Sequence, residues 1–165
     1  MRYAAIRPLD ISNGEGLGVA LFVQGCSLHC KECFQPETWD FNGGQEFTQE
    51  TKEKIFNYLR QPGITRLTIL GGEPLEECNL FELSKLIRQV REQLPDIEIW
   101  LYSGYTIEQL IQRMRKQQEV HYLKYILDNV DVLIDGPFIE EEKDLGLEWR
   151  GSANQQYIKL NNRGH

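Results

Sequence analysis

The sequence predicts an α/β domain built on a parallel sheet, either open or curved into a partial (β/α) barrel. Two observations predict it. Short runs of β-formers alternate with helical segments in the order β-α-β-α-β-α-β, and strands joined by helices run parallel with right-handed crossovers. The strand runs are also nearly continuous in apolar residues, as in a sheet covered on both faces. The 165 residues correspond to one domain on the usual scale of ~150 residues per domain.

The elements follow in order. Gly18 to Gln24 is a short apolar run and reads as the first strand, with a polar, Gly-rich loop after it through Gly44. Thr48 caps a helix reaching about Arg60, with Ile55 and Leu59 one turn apart, and Pro62-Gly63 stops it. Ile64 to Leu70 is the second strand. Asn79 is placed to cap the next helix, with Glu82 in the capping-box position. Leu80, Leu83, Leu86, Ile87, Val90 and Leu94 share one face of it, and Pro95 ends it. Ile97 to Tyr102 is the third strand. Thr106 and Gln109 form a capping box for a helix to about Gln118, and Val120 to Asp128 continues as helix. Val130 to Ile134 is the fourth strand, and Gln156 to Leu160 is a candidate last one.

Charge and composition narrow the function. Eighteen Lys and Arg against 25 Asp and Glu leave a net charge of -7, which argues against a globally basic nucleic-acid binder. The longest apolar run, Leu17 to Val23, is far too short for a membrane span. The N-terminus has no apolar core of signal-peptide length. A cytoplasmic protein with reduced thiols is therefore expected.

Three of the four cysteines fall together in Cys26-Ser27-Leu28-His29-Cys30-Lys31-Glu32-Cys33, just after the first strand; Cys78 stands apart. A disulfide framework would spread them, whereas a cluster in a reducing compartment points to a metal. Thiolates select zinc, copper(I) or iron–sulfur clusters. A structural zinc site needs four ligands, usually as two pairs. The fourth candidates here are His29, adjacent to Cys30, and Cys78, at a helix start without a partner pair. Three cysteines suit a [4Fe–4S] cluster with one open iron.

The second strand ends in Gly71-Gly72-Glu73-Pro74. Two glycines permit unusual backbone angles and close approach to a ligand. Glu73 places a carboxylate where a ligand ammonium can sit, and a side chain added at Gly72 is expected to intrude on the ligand while sparing the cysteines. The third strand ends in Tyr102-Ser103-Gly104-Tyr105, where a hydroxyl binds a ribose or caps the next helix. The fourth ends in Asp135-Gly136, where a carboxylate is a ligand contact or a plain Asx turn. All these groups sit at carboxyl ends of strands, where parallel sheets bind ligands.

The Cys-x3-Cys-x2-Cys spacing followed by Gly-Gly-Glu resembles the radical S-adenosylmethionine enzymes. Further stretches extend the resemblance: Asp10-Ile11-Ser12-Asn13-Gly14-Glu15-Gly16 before the cysteines, Phe34-Gln35-Pro36-Glu37-Thr38-Trp39 after them, and Trp149-Arg150-Gly151-Ser152-Ala153-Asn154-Gln155 near the end. Over nearly the whole chain the pattern is similar to the glycyl-radical activases that act on anaerobic ribonucleoside-triphosphate reductase. The resemblance implies a partial (β/α) barrel and a [4Fe–4S] cluster on Cys26, Cys30 and Cys33. It implies S-adenosylmethionine held by Glu32, Cys33, Phe34, Gly71, Gly72, Glu73, Ser103 and Asp135. It also implies a flavodoxin-like electron donor, reductive cleavage to methionine and a 5′-deoxyadenosyl radical, and hydrogen abstraction from a glycine of the reductase. Two positions depart from the pattern. Glu32 stands where an aromatic residue often precedes the third cysteine, so contact there uses its backbone or comes from Phe34. Gln35 stands where Asn is common.

Length independently favours a protein substrate, since no second domain exists to enclose a small molecule. Trp149 and Arg150 are candidate anchors for that partner, or else Trp149 packs under the sheet and Arg150 pairs with an acidic neighbour. Two other readings stay open on sequence alone. One is another radical S-adenosylmethionine enzyme, an activase of a different glycyl-radical protein or a small enzyme of deazapurine synthesis. The other is a non-catalytic zinc or electron-transfer module.

Overall fold

The computed structural model describes residues 1–116 and 120–161. Its strands are β1 (Arg2–Asp10), β2 (Leu17–Val23), β3 (Gln45–Glu46), β4 (Ile64–Gly71), β5 (Glu98–Tyr102), β6 (Val132–Asp135) and β7 (Gln156–Lys159). They form one sheet in the order β3-β1-β2-β4-β5-β6-β7. The four central strands β2, β4, β5 and β6 are parallel. The flanks are not: β1 runs antiparallel to β2 and to β3, and β7 antiparallel to β6.

The expectation of a parallel sheet is thus corrected to a mixed one. The connections explain it. The link between β1 and β2 holds no helix, and the link between β6 and β7 holds only a 3-10 turn at Glu140–Glu142. The β1–β2 link is too short for the crossover that parallel neighbours require, and the β6–β7 link has no α-helix to carry one. β1 escaped the sequence reading because Arg2, Arg7, Pro8 and Asp10 interrupt its apolar residues. Only Arg2 and Tyr3 pair with β3, so Pro8 lies where no ladder bond on the outer side is lost.

The helices are α1 (Gln49–Leu59), α2 (Glu77–Gln93), α3 (Ile107–Lys116) and α4 (Val120–Asn129). Thr48 caps α1 as expected: its hydroxyl accepts the Thr51 N–H, and the Thr51 hydroxyl accepts the Thr48 N–H. Thr106 and Gln109 form the expected box at α3, with bonds of 2.8 and 3.2 Å. The expected end of that helix near Gln118 lies outside the described residues. Asn79 does not cap α2, which starts earlier, at Glu77. Its buried side chain donates instead to the Glu73 carbonyl at 3.1 Å, and Glu82 pairs with Lys52 and Lys85.

The order β2-β4-β5-β6 steps in one direction, so right-handed crossovers bring the intervening helices to one face. There Val19, Leu21, Ile69, Ile99 and Leu101 join Ile55, Leu83, Ile87 and Ile126 in the main core. The other face carries Ala20, Phe22 and Leu70, and beside them Trp100, Val132 and Ile134. Trp149, before β7, and Tyr157, in β7, cover part of it, edge-on to Trp100 at 5.7 and 5.5 Å. Trp149 therefore packs against the sheet. Among the described residues no helix is long and apolar enough to cross a membrane.

Candidate functional site

Three segments meet at the carboxyl ends of β2 and β4. The Gly72 N–H donates to the Val23 carbonyl and the Glu73 N–H to the Gly25 carbonyl, both at 2.9 Å. The Gly25 N–H donates to the Thr38 carbonyl at 2.7 Å and the Cys26 N–H to the Trp39 carbonyl at 3.3 Å. The Gly-Gly-Glu turn, the start of the cysteine loop and the segment after it are one hydrogen-bonded unit. Gly71 has φ of 108°, a conformation that favours glycine.

The cysteine loop is bent twice. His29 and Glu32 have φ of 45° and 58°, left-handed values uncommon for residues with a Cβ. Such angles persist where the surroundings enforce them, and braces are present. The His29 ring stacks on Trp39 with centroids 4.4 Å apart and planes 14° from parallel. A Glu76 carboxylate oxygen accepts the Ser27 N–H at 2.7 Å and its hydroxyl at 2.6 Å. The two bends fall between Cys26 and Cys30 and between Cys30 and Cys33. Cys26 is buried, while Cys30 and Cys33 are half-buried. Burial, with Glu73 and Glu76 nearby, pushes the Cys26 thiol up to about 11, against the pull of the Leu28 and His29 amides. Burial also raises Cys30.

These residues fit a cluster better than zinc. His29 is engaged in its stack, and Cys78 is exposed on α2 with its sulfur 3.7 Å from Asn79 Oδ1. Neither therefore completes the four-ligand set that a structural zinc site needs.

Beside the loop lies a cavity of about 180 Å³. Of the candidate residues, Cys33, Phe34, Gly71, Gly72 and Ser103 line it. Glu73 and Asp135 lie at the same strand ends, but their carboxylates are bound inward. Glu73 is 1% exposed; Oε1 accepts from the Leu75 N–H and the Ser103 hydroxyl at 2.9 and 2.8 Å, and Oε2 from the Gly104 N–H at 2.7 Å. Asp135 accepts the Ile107 N–H at 2.7 Å and the Gln156 N–H at 3.0 Å, tying α3 and β7 to β6. Glu32 is exposed and lies outside the lining. A second cavity, of about 420 Å³, shares Phe34, Gln35, Leu70, Tyr102, Phe138 and Gln155 with the first. Ser12, Asn13, Trp149 and Arg150 also line it. The sequence does not mark Gln35, Tyr102, Phe138 or Gln155 as ligand contacts, although Gln35, Tyr102 and Gln155 stand inside the motifs quoted above and Phe138 follows Asp135-Gly136 by two residues. Arg150 donates to the Gln155 carbonyl at 3.0 Å, a local bond in place of the acidic partner considered for it.

Burial pushes Glu73 up to about 7 from its ordinary 4.5, against the pull of its Gly104, Leu75 and Ser103 donors. The folded chain therefore holds a proton here that the unfolded chain releases above about 4.5. The folded state loses up to ~3 kcal/mol of relative stability from this group as pH rises from 4.5 through about 7. Urea unfolding of the wild type and of Glu73→Gln between about pH 5 and about pH 8 should show this as a difference in slope. Parallel curves for the two proteins would show that Glu73 does not titrate in this range.

A protein-family model described as a 4Fe-4S single cluster domain matches residues 12–158. The anaerobic ribonucleoside-triphosphate reductase-activating protein of Vibrio cholerae is 40% identical over 157 residues, covering 94% of this chain and 96% of the relative. The protein of the same name from Escherichia coli K12 is 36% identical over the same shares of each chain. The one from Enterobacteria phage T4 is 40% identical over 158 residues, 94% of this chain and 92% of the relative. A three-thiol loop locked to a Gly-Gly-Glu turn, with this similarity along almost its whole length, places the chain in the 4Fe-4S single-cluster-domain family of anaerobic ribonucleoside-triphosphate reductase-activating proteins.

Proposed function

We propose that this chain activates an anaerobic ribonucleoside-triphosphate reductase by installing a glycyl radical, using a [4Fe–4S] cluster and S-adenosylmethionine. The observation that carries the reading is the junction at Gly25, whose carbonyl takes the Glu73 N–H while its own N–H holds the Thr38 carbonyl. The cysteine loop and the Gly-Gly-Glu turn are thereby held together beside one cavity. Cys26, Cys30 and Cys33 would hold the cluster. Phe34, Gly71, Gly72 and Ser103 would hold S-adenosylmethionine. Together the two groups supply, when bound, a one-electron reductive cleavage to methionine and a 5′-deoxyadenosyl radical, with the electron drawn from a flavodoxin-like donor.

The protein's own part is orientation and shielding. Glu73 ties the end of β4 to that of β5 through Ser103 and Gly104. Asp135 does the same for β6 and α3. Phe34 and Phe138, with centroids 4.6 Å apart, stand where the two cavities join. The second cavity is the entrance for the glycine-bearing segment of the reductase, whose docking excludes water from the site.

Electron paramagnetic resonance of an anaerobic mixture of chain, reductase, reductant and S-adenosylmethionine is the test. The expected result is a glycyl doublet that disappears when any one component is omitted. Cleavage of S-adenosylmethionine with no radical on the reductase would overturn the partner assignment.

A further inference from the structure

On the helix-free face Arg66 of β4 is completely buried, an uncommon place for a guanidinium unless its donors are satisfied. Its side chain passes over β2 to the connection between β1 and β2. Nη2 donates to the Asp10 carbonyl at 2.8 Å, and Nη1 to Asp10 Oδ2 and the Asn13 carbonyl, both at 3.1 Å. Nε donates to the Glu15 carbonyl at 3.1 Å. Nη1 also contacts the Thr68 hydroxyl, which itself donates to the Asn13 carbonyl at 2.8 Å. Asp10 accepts the Asn13 N–H and side-chain amide at 3.1 and 2.8 Å.

Two glycines make room for this side chain. A Cβ on Gly14 would stand 2.5 Å from Arg66 Cδ, and one on Gly18 would stand 2.6 Å from Arg66 Cζ. A buried arginine, a buried aspartate and two glycines thus converge on one short loop whose own Ile11 and Ser12 are exposed. β1 and β2 already pair on either side of that loop, up to Asp10 and Gly18. What the loop forms is a wall: Ser12 and Asn13 line the second cavity, as do Trp149 and Arg150. Ile11, 68% exposed, stands beside it, as does Phe34 at 62%. Exposed apolar side chains around a concave opening mark a surface for another protein.

We propose that Arg66 is a positioning residue for substrate recognition: it sets the Ile11–Asn13 loop as the reductase-facing wall of the second cavity, without touching the cluster or S-adenosylmethionine. This rests on the reading of that cavity as the reductase entrance. Arg66→Met removes every donor. Arg66→Lys keeps the charge but cannot reach all the acceptors. Gly18→Ala keeps arginine but pushes on its guanidinium carbon.

The test uses full-length, cluster-loaded chain with its reductase. In all three variants, iron and sulfide content and reductant-driven S-adenosylmethionine cleavage without reductase should stay within about twofold of wild type, because the altered loop lies outside the first cavity. The reductase concentration giving half-maximal binding should rise ~10- to 100-fold for Arg66→Met and Gly18→Ala, and less for Arg66→Lys. Hydrogen exchange of the amides in 11–16 should accelerate in the same order. Unchanged reductase binding with faster loop exchange would overturn the recognition role, and so would a parallel loss of cluster and cleavage. If Arg66→Met does not fold, the Gly18→Ala and Arg66→Lys results decide the matter. A wild-type chain that binds its reductase but makes no glycyl radical would instead overturn the proposed function and leave the Arg66 comparison standing.

Discussion

Cys26→Ser, Cys30→Ser and Cys33→Ser should each lose the cluster, with iron and sulfide per chain falling at least ~10-fold, while Cys78→Ser retains both. Serine keeps the size of cysteine but replaces a soft thiolate with a hydroxyl that soft metals bind poorly. The three positions are not equivalent in the fold. Cys26 follows directly on β2 and is tied to Trp39 through its backbone, whereas Cys30 and Cys33 sit in the bent part of the loop. All three nevertheless belong to one short segment held by the His29–Trp39 stack and the Glu76–Ser27 bonds. Cys78 is outside that segment, in the first turn of α2, and exposed. Iron and sulfide analysis with the visible absorbance of anaerobically reconstituted variants is the measurement. A Cys78→Ser protein that cannot hold the cluster would overturn the ligand assignment, and zinc without sulfide in the wild type would overturn the cluster itself.

The site was legible where chemistry is written in spacing and blurred where it depends on which way a side chain turns. The cysteine loop, the Gly-Gly-Glu turn and the ends of β5 and β6 were all placed at the correct ends of the correct strands, because continuous apolar runs and capping residues mark those strands locally. Spacing could not say that the Glu73 and Asp135 carboxylates would be taken up by backbone N–H groups from neighbouring elements. Apart from the Leu75 N–H beside Glu73, those donors come from residues distant in sequence. The mixed sheet was missed for a related reason: β1 is held by its pairing with β2 rather than by an apolar pattern of its own. Arg66 reads in sequence as a polar interruption of a strand. Its burial follows only once Gly14, Gly18 and Asp10 are brought to it by pairing. The bends at His29 and Glu32 carry no sequence signal at all, since neither residue is a glycine.

Gly72→Ala should abolish cluster loading and S-adenosylmethionine binding together, which differs from the ligand-only loss expected from the sequence. The reason is where the missing Cβ would point. At Gly72 it would stand 2.4 Å from the Gly25 carbonyl oxygen, 2.9 Å from the Gly25 carbonyl carbon and 3.0 Å from the Thr38 carbonyl oxygen. All three are backbone atoms, and all belong to the junction that fixes the cysteine loop. Relief requires that Gly25 move away from Glu73 or from Thr38, breaking bonds of 2.9 or 2.7 Å. Either movement carries Cys26 with it. Gly104→Ala supplies the contrast within the same cavity. Its Cβ would meet the Leu28 Cδ1 atom at 2.3 Å, which is the end of a flexible side chain on a loop and can rotate aside. Gly104→Ala should therefore keep its iron and weaken S-adenosylmethionine binding by no more than ~10-fold, while Gly72→Ala should lose at least ~10-fold in both. Iron and sulfide content with equilibrium binding of S-adenosylmethionine on the two variants separates the cases. A Gly72→Ala protein with a full cluster and failed ligand binding would place that glycine against the ligand and detach it from the loop junction. Normal behaviour in both assays would mean that the Gly25 junction yields without moving Cys26, and the structural basis for joining the two motifs would fall with it.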